Sequence, residues 1–411
     1  MTVRAHHDVI VVGAGPAGAA TAILLAERGL AVLVLDRARS PRAKICGEYL
    51  SPEGVRILDR LGVLKAIDAA GAIPLAGMRI IGPDGRSLEG RYRPLGVWRP
   101  YRDGALAIER AILDGALTDR LRALPVDFRE QVRATEIIVE GDRVVGIRAA
   151  DTEGRHHDFR AALTIGADGR ASVVAQRLGC RGHHRLRRMA LATYVSGLSD
   201  CRALGEIFID PPDYAILNPV GADRVNFSLV VPLAHVVPHA ARLDVFFGAR
   251  VKQLPHLARR VAGAVRVAPV VALGPLAYRV SAPRLGGVLL VGDAAGFYDP
   301  FTGEGIFSAL RGAELVAEVA APALARGDLS ANALGAYERA RKDVFRAKAR
   351  LTRAIQAVIG HRWTTDLAAA LLARRPDLFD VLLGAVGDYV PPGALLRGLG
   401  RQRTNQAIGE R

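Results

Sequence analysis

The chain has 411 residues, of which 50% are hydrophobic and 24% are charged, a composition typical of a globular protein with two or three domains. Its formal net charge is +15, but the basic residues are spread along the chain without interleaved aromatic residues, which argues against a nucleic-acid-binding protein. Its three cysteines lack CxxC or metal-like spacing, which excludes a disulfide framework and indicates a reducing compartment.

Neither a targeting segment nor a metal site is expected from the sequence. The first residues lack the apolar core of a signal peptide, and no stretch reads as a membrane span. The histidine pairs at 6–7, 156–157 and 183–184 have no carboxylate partner at ligand spacing. We therefore expect a cytoplasmic protein that holds no metal.

The chain opens with the pattern of a compact βαβ unit. Residues 8–12 are a continuous apolar run, typical of a parallel strand that is buried on both faces. Residues 17–28 predict a helix that ends at Gly29, and residues 30–35 predict a second strand. The turn between the first strand and the helix reads Gly13-Ala14-Gly15-Pro16-Ala17-Gly18.

This turn has the chemistry of a dinucleotide-binding site. Gly13 permits the tight turn, Gly15 lets a pyrophosphate approach the backbone, and Gly18 lets the helix and strand pack closely. The helix N-terminus offers N–H groups and partial positive charge to the phosphates. Asp36, at the end of the second strand, can accept hydrogen bonds from a ribose diol. These features together predict a bound dinucleotide.

The remaining elements predict a first domain that is interrupted by a second. In chain order they are a loop (37–54), an amphipathic helix (106–124), short alternating strands (132–159), a buried strand (161–165), strands of a separate sheet (188–195, 206–210, 214–218 and 225–231), a helix (234–253), a parallel-type strand (287–291) and mostly helices after 331. The predicted domains are therefore 1–180 with 281–330 for the dinucleotide, 181–280 for the substrate, and a helical region over 331–411.

Two distant elements favour FAD over NAD. A plain NAD dehydrogenase would continue with βα units after Asp36, whereas this chain enters a long loop. The strand at 161–165 runs into a tight turn at Asp168-Gly169. The strand at 287–291 ends in Gly292-Asp293, and a segment with Gly303, Gly305 and Ile306 follows.

These elements resemble the fingerprints of FAD-dependent monooxygenases and geranylgeranyl reductase-like flavoproteins, a superfamily with the para-hydroxybenzoate hydroxylase-like fold. The resemblance implies an α/β fold class: a Rossmann-type FAD-binding domain with a β-meander, an interleaved β-sheet substrate domain and a helical C-terminal region. It implies that Asp293 binds the FAD ribityl chain and that Gly305 and Ile306 offer N–H groups to the flavin. The full set expected at FAD is Gly13, Ala14, Gly15, Pro16, Ala17, Gly18, Asp36, Arg37, Arg110, Val132, Asp168, Gly292, Asp293, Gly303, Gly305 and Ile306.

Three members of this set lie outside the fingerprints. Arg110 matches a family arginine that reaches FAD, with a solvent-facing helix arginine as the other interpretation. Val132 lies where the family contacts adenine. Arg37 is either near the adenosine ribose or a surface residue.

The segment Lys44-Ile45-Cys46-Gly47-Glu48 resembles the Cys-Gly segment of geranylgeranyl reductase-like proteins, which lies beside the flavin. Cys46 modulates flavin reactivity, touches substrate, or packs as a small residue under a turn. Glu48 either orients substrate or caps the following helix. Tyr214 is the third candidate catalytic residue, expected on the substrate face.

The segment from Tyr214 to Pro219 stands where prenyl reductases have Tyr-x-Trp-x-Phe-Pro, with Ile216 and Asn218 in place of Trp and Phe. This difference argues against prenyl reduction, and the Trp-x-Trp-x-Ile-Pro element of flavin halogenases is absent too. The leading hypothesis is therefore a monooxygenase of secondary metabolism that uses NADPH or NADH to hydroxylate a small apolar aromatic or polyketide-like metabolite. The alternatives are a reductase of carbon–carbon double bonds in an isoprenoid and a protein whose FAD is structural or regulatory.

The expected partners are a small apolar substrate and no nucleic acid. The helical C-terminal region fits three roles: a substrate lid, a dimer surface, or a platform for peripheral membrane contact. The apolar stretch 378–386 is compatible with each role, and the oligomeric state stays open.

Overall fold

The computed structural model describes residues 6–42, 44, 46–200 and 203–395; Cys201 and the last part of the predicted C-terminal region, 396–411, lie outside the described residues. The helices are α1 (Pro16–Ala26), α2 (Pro52–Arg60), α3 (Leu64–Ala69), α4 (Arg110–Arg122), α5 (Val173–Arg177), α6 (Leu233–Val236), α7 (Leu243–Lys252), α8 (Pro255–Arg260), α9 (Glu304–Arg326), α10 (Ala331–Val358), α11 (Arg362–Ala373) and α12 (Pro376–Val386).

The strands are β1 (His7–Val12), β2 (Val32–Asp36), β3 (Tyr49–Leu50), β4 (Ile73–Leu75), β5 (Gly77–Ile81), β6 (Ser87–Arg91), β7 (Ala105–Ala107), β8 (Asp127–Glu130), β9 (Arg133–Glu140), β10 (Arg143–Ala150), β11 (His156–Gly166), β12 (Arg181–His183), β13 (Arg188–Ser196), β14 (Leu204–Asp210), β15 (Asp213–Gly221), β16 (Arg224–Pro232), β17 (Val265–Arg266), β18 (Val271–Leu273), β19 (Tyr278–Val280) and β20 (Val288–Leu290).

The first sheet has seven strands in the order β8-β2-β1-β11-β10-β9, with β20 beside β11. Strand β11 joins two kinds of pairing, because residues 156–160 are antiparallel to β10 while residues 161–166 are parallel to β1. The parallel strands β1, β2 and β20 are rich in Val, Ile and Leu, because one face of them packs against helices such as α1 and α9 and the other mainly against the meander strands β9 and β10. The predicted α/β fold class is confirmed, and the meander and the parallel strands form one continuous sheet.

The element bounds differ from the sequence predictions most clearly at three places. The helix expected from residue 106 begins at Arg110, because Ala105–Ala107 forms β7 between β3 and β4. The loop expected over 37–54 ends earlier, because Tyr49–Leu50 forms β3. Helix α2 then begins at once, capped by the Ser51 hydroxyl, which accepts a hydrogen bond from Gly54 N at 3.4 Å. The helix expected over 234–253 is divided into α6 and α7 by a tighter turn at Val237–Arg242. Strands of two or three residues give no periodic pattern from which they could be read.

The second sheet has eight strands in the order β17-β13-β16-β15-β14-β5-β6, with β18 beside β13. Strands β5 and β6 come from residues 77–91, which the sequence prediction assigned to the dinucleotide domain (1–180). In the structure these two strands belong to the second sheet. Side chains alternate along β15. Ala215 and Leu217 pack in the cluster that includes α7 and α8, while Tyr214 and Ile216 belong to the cluster on the opposite face.

The helices from α9 onward complete the molecule. Helix α9 packs against α1, and α10 packs against α9. Helices α11 and α12 contact β6, where Ala369 and Phe379 pack on Leu88. The C-terminal helices therefore cover one face of the second sheet. Within the described part of the chain, no helix is long and apolar enough to cross a membrane.

Candidate active site

A cavity of about 850 Å³ is lined by residues of both sheets and of the C-terminal helices. Its first part, here called the cofactor groove, is lined by Gly13, Gly15, Pro16, Ala17, Asp36, Arg37, Arg110, Val132, Asp168, Asp293, Gly303, Gly305 and Ile306. Its second part, here called the substrate chamber, is lined mainly by Met78, Ile80, Leu88, Ala190, Ile207, Ile209, Ile216, Val230, Leu273, Leu276, Ile355, Val358, Ile359, Ala368, Ala369, Leu372, Phe379, Leu382, Leu383 and Val386. The two parts are continuous.

The glycine-rich turn forms one end of the cofactor groove. A Cβ atom at Gly18 would lie 1.8 Å from the Gly13 carbonyl oxygen, so only glycine allows this contact between turn and helix. A Cβ atom at Gly15 would meet no heavy atom within 4 Å. The N-terminus of α1 has Pro16 in its first turn and no side-chain cap. The turn therefore leaves open space in front of uncapped N–H groups, as a pyrophosphate site needs.

Asp36 holds this turn in place. Its carboxylate accepts hydrogen bonds from Ala14 N at 2.7 Å and Ala38 N at 2.8 Å. Its backbone oxygen accepts one from Val132 N at 2.9 Å. Arg37 is exposed and lines the groove. Ala14 thus shapes the site through its N–H group and does not itself line the groove.

Two carboxylates face the middle of the groove. Asp168 Oδ2 accepts a hydrogen bond from Val173 N at 2.6 Å, whereas Asp168 Oδ1 is buried and has no hydrogen-bond partner among the described residues. Burial raises the pKa of this carboxyl. The Asp293 side chain lines the groove, and the preceding Gly292, at a φ of +61°, would clash with Ala17 if it carried a Cβ atom. A buried acceptor without a partner indicates a ligand that donates to it.

The N-terminus of α9 closes the groove. Gly303 has a φ of +66°, and a Cβ atom there would lie 2.3 Å from the Tyr49 ring. The first turn of α9 contains Gly305 and Ile306, and no side chain caps it. Its N–H groups are therefore available to a negatively polarised group, as a reduced flavin presents. The open glycine turn, the unpartnered Asp168 oxygen and these two uncapped helix ends together fit an FAD molecule.

Basic residues of the neighbouring loop and helix also line the groove. Arg110 is buried and forms two hydrogen bonds to Asp114, at 3.0 and 2.9 Å. Although burial opposes its charge, Asp114 and Cys46 raise the pKa of Arg110. Sequence reasoning assigned no role to Lys44, which lines the groove as well. Burial and the nearby Arg110 lower the pKa of this ammonium, while Asp293 opposes the shift. The sequence signal that could have pointed to Lys44 was its place as a basic residue at the edge of the Cys-Gly segment.

The segment Cys46-Gly47-Glu48 lies between the groove and the substrate chamber, pinned by the second sheet. Glu48 is 1% exposed and has a φ of 55°, a left-handed conformation that favours glycine. Its carboxylate accepts hydrogen bonds from Arg110 N at 2.9 Å, the Tyr194 hydroxyl at 2.7 Å and Asn226 Nδ2 at 3.0 Å. Burial raises the pKa of Glu48, and these three donors oppose the shift. Ser51, and not Glu48, caps α2.

Two asparagines of the second sheet hold the same segment. Asn218 Nδ2 donates to the Gly47 carbonyl at 2.6 Å, and Asn226 Nδ2 donates to the Cys46 carbonyl at 2.9 Å. Asn218, which replaces the expected aromatic residue, therefore has a specific partner. The sequence offered no way to connect these residues.

The third catalytic candidate, Tyr214, lies behind the chamber wall. It is 1% exposed, and its hydroxyl donates to Asp299 Oδ1 at 2.7 Å. Gln356 Nε2 donates to the same oxygen at 2.7 Å, and Arg188 pairs with the other carboxylate oxygen at 3.5 Å. Of the three candidates, Cys46 and Glu48 line the cavity and Tyr214 does not.

Comparison with known proteins identifies the family. Residues 6–352 match the family described as FAD binding domain. The chain belongs to this family. A digeranylgeranylglycerophospholipid reductase of Methanothrix thermoacetophila is 30% identical over 81% of this chain and 82% of the relative. A second such reductase, of Methanococcoides burtonii, is 28% identical over 83% of this chain and 80% of the relative.

Solved structures share the fold of this FAD-binding protein. The flavin-dependent brominase Bmp2 superposes with a TM-score of 0.81 at 21% identity, covering 97% of this chain and 100% of the brominase. A geranylgeranyl bacteriochlorophyll reductase-like protein from Thermoplasma acidophilum gives 0.75 at 23% identity, covering 95% of each chain. The chain is an FAD-dependent oxidoreductase with the fold that these proteins share.

The substrate chamber of this FAD-binding protein has few polar groups. The Tyr49 and Tyr92 hydroxyls lie 2.5 Å apart in its wall, and burial raises the pKa of both. Asn218, Ser228 and other neutral side chains supply the remaining polarity. Where the chamber is lined by the second sheet and by α10–α12, none of the described residues is charged. The residues predicted to contact FAD stay predictions at the level of single contacts, although their common location fits FAD. Among the described residues, no group of three or more His, Cys, Asp or Glu side chains is arranged to hold a metal ion.

Proposed function

We propose that this FAD-dependent oxidoreductase reduces carbon–carbon double bonds of an apolar, isoprenoid-type substrate, with NADPH or NADH as the reductant. The observation that carries this proposal is the uncharged, mostly aliphatic wall of the substrate chamber next to the cofactor groove. Burial of a hydrocarbon chain in such a chamber is favourable, at about 25 cal/mol per Å² of apolar surface. A carboxylate substrate would instead need a buried cation, and none of the described residues that line the chamber from the second sheet or α10–α12 is charged.

Bound FAD would supply the hydride chemistry, in which two electrons pass from the nicotinamide to one carbon of the double bond. The other carbon requires a proton. The Tyr49 ring lies against Gly303 at the N-terminus of α9, and its hydroxyl, which contacts the Tyr92 hydroxyl, holds a proton in the chamber wall. Tyr92, at 2.5 Å, is placed to replace that proton once it has been transferred. The net reaction consumes one NAD(P)H and one proton for each double bond.

The curated relatives support this assignment. The two reductases compared above are named for reduction of a digeranylgeranyl glycerophospholipid, and the chain covers 82% and 80% of their length. Ile216 and Asn218 stand where the prenyl reductases have aromatic residues, which points to a substrate of different shape. The Asn218 amide donates a hydrogen bond to the Gly47 carbonyl. Isoleucine at 216 keeps the wall apolar.

A second candidate function is the hydroxylation of a small apolar aromatic or polyketide-like metabolite by an NAD(P)H-dependent monooxygenase. Two neutral polar side chains favour it. Asn218 and Ser228 lie on neighbouring strands of the chamber wall, where a single oxygen atom of such a substrate finds a hydrogen-bond partner. Exclusion of water and positioning of the substrate are the main demands of that chemistry.

One experiment distinguishes the two functions. The FAD-loaded protein is reduced with NADPH or NADH in the absence of oxygen and then mixed anaerobically with geranylgeraniol. For a reductase, the oxidised flavin absorbance returns without oxygen, and mass spectrometry finds a product with two added hydrogens for each reduced double bond. Tyr49→Phe slows this step and leaves reduction by the nicotinamide unchanged. Tyr389→Phe is the matched control, because its hydroxyl donates to the Arg93 carbonyl at 3.1 Å outside the chamber.

A monooxygenase would give a different result in the same experiment. If the flavin stays reduced until oxygen is admitted and the product then contains an added oxygen atom, the protein is a monooxygenase. Screening of aromatic and polyketide-like compounds would follow from that result.

A further inference from the structure

Helix α11 exposes an apolar stripe. Trp363 is 70% exposed, Leu367 52% and Leu371 56%. They are spaced four residues apart, so they lie on one side of the helix. The other large apolar side chains that the structure describes as exposed are valines on other elements. A Trp and two Leu side chains on one helix face are unusual for a surface that meets only water.

The opposite side of α11 lines the substrate chamber. Thr365, Ala368, Ala369 and Leu372 all contribute to its wall. At about 100° per residue, these four positions lie roughly opposite the stripe of Trp363, Leu367 and Leu371. A single helix therefore separates the apolar stripe on the surface from the apolar chamber inside.

Helix α10, which precedes α11, presents a basic stripe. Its exposed basic residues are Arg339, Lys342, Arg346, Arg350 and Arg353. Their spacings of three and four residues place all five within an arc of about 80°. Asp343 offsets part of this charge, through an ion pair with Arg346 at 3.4 Å. The net charge of the stripe remains positive.

We propose that α11 docks on the surface of an anionic phospholipid bilayer, with the α10 basic stripe attracted to the headgroups. An amphipathic element with Trp and Leu on one side and Lys or Arg nearby is the composition that binds in the plane of the membrane interface. Basic residues strengthen such binding through the negative surface potential of anionic lipids.

A second copy of the chain fits the same surface less well. A twofold dimer through the α11 stripe would bring together two copies that each carry a formal net charge of +15. Like charges at close range oppose association, whereas an anionic headgroup layer compensates them. The bilayer is therefore the occupant that both stripes favour.

Docking in this orientation gives the chamber access to an apolar compartment. Because the inner side of α11 is part of the chamber wall, a substrate dissolved in the bilayer reaches the chamber by passing only this helix. Of the three roles open to the C-terminal region, this proposal selects the membrane platform. Docking does not depend on which reaction the flavin performs, so failure of one proposal leaves the other standing.

The test uses the full-length FAD-loaded protein and vesicle flotation. Vesicles of phosphatidylcholine with phosphatidylglycerol are compared with vesicles of phosphatidylcholine alone. The protein is expected to float with the anionic vesicles, roughly tenfold more than with the neutral ones, and to be released as salt rises. The variant L367Q/L371Q is expected to lose roughly tenfold or more of this binding. Val97→Gln, at a site that is 87% exposed on a different element, is the matched control and should float like the original protein.

A second readout reports directly on the stripe. The chain has two Trp residues, so a Trp98→Phe variant leaves Trp363 as the remaining fluorophore of this type. Its emission should move to shorter wavelength when anionic vesicles are added. Failure to float with either vesicle, together with an unchanged emission, overturns the proposal. So does a result in which L367Q/L371Q converts a dimer to a monomer in vesicle-free buffer, since the stripe would then be an interface between two copies.

Discussion

The Tyr194 hydroxyl donates a 2.7 Å hydrogen bond to the Glu48 carboxylate across 146 residues of chain. Tyr194 belongs to β13 of the second sheet, and Glu48 belongs to the segment beside the cofactor groove. This contact, together with those of Asn218 and Asn226, joins the two halves of the active site. The position of the Cys46-Gly47-Glu48 segment beside the cofactor groove therefore depends on the second sheet.

Replacement of Glu48 by Gln should weaken this junction. One amide oxygen can still accept from Arg110 N and Tyr194, but the amide nitrogen then faces Asn226 Nδ2, which is also a donor. We expect a loss of about 1–3 kcal/mol in the free energy of unfolding, measured by urea unfolding of the FAD-loaded protein. Glu53→Gln is the matched control, because its carboxylate pairs with Arg56 near the surface and should matter little. Equal stability of the two variants would contradict the proposed junction.

Two glycine variants separate cofactor binding from folding. Gly15→Ala places a methyl group in open space, so the protein should fold while the methyl group obstructs the pyrophosphate. We expect FAD affinity to fall by roughly tenfold or more, measured by titration of the apoprotein with FAD. Gly18→Ala places its methyl group 1.8 Å from the Gly13 carbonyl oxygen and should lower the soluble yield or the melting temperature. Unchanged FAD affinity in folded Gly15→Ala would show that the pyrophosphate lies elsewhere.

Tyr214→Phe tests whether this residue acts in catalysis or in the core. The variant removes the hydrogen bond to Asp299 and opens no new space in the chamber wall. We expect a cost of about 1 kcal/mol in stability, seen as a lower melting temperature, with kcat/KM unchanged. Tyr49→Phe should show the reverse pattern, with slower turnover and a smaller change in melting temperature. A large fall in kcat/KM for Tyr214→Phe at constant stability would return it to the catalytic residues.

The buried pair of Lys348 and Asp388 predicts a dependence of stability on pH. Burial raises the pKa of the Asp388 carboxyl to about 6, although Lys348 opposes the shift. The folded protein thus binds this proton more tightly than the unfolded chain, whose carboxyl has the ordinary value of 3.8. The resulting stabilisation is complete below about pH 4 and is lost as the pH rises through about 6.

Asp388→Asn removes this titration. The free energy of unfolding of the original protein, minus that of the variant, should fall by on the order of 2 kcal/mol between about pH 4 and about pH 7. Urea unfolding at a series of pH values measures the difference. Asp343→Asn is the control, because that carboxylate is exposed on α10, the helix that contains Lys348. If the curves of Asp388→Asn and the original protein stay parallel, Asp388 is ionised throughout.

The sequence by itself was sufficient for the fold class, and most of the residues that it proposed for FAD line one groove in the structure. The turn from Gly13 to Gly18, the following helix and Asp36 lie within 24 residues of one another, and the chemistry of each position follows from local geometry. The Asp168-Gly169 and Gly292-Asp293 turns follow strands whose continuous apolar runs are readable without tertiary information. Such features are determined by neighbours in the chain, whereas other residues of the groove, among them Arg42, Lys44 and Arg133, belong to no such local pattern and were not predicted.

The tertiary structure decided how the second half of the site is built. Glu48 has partners at Tyr194 and Asn226, which are 146 and 178 residues away, and no periodicity in the chain connects them. Tyr214 lies on the same face of β15 as the chamber-lining Ile216, but Phe301 packs on its ring and its hydroxyl donates to Asp299, so its side chain lies behind the wall. The chamber itself is closed by α10–α12 against β5 and β6, elements that are hundreds of residues apart. Hydrogen bonds and apolar contacts between distant segments form only when the chain has folded, and these contacts define the substrate site.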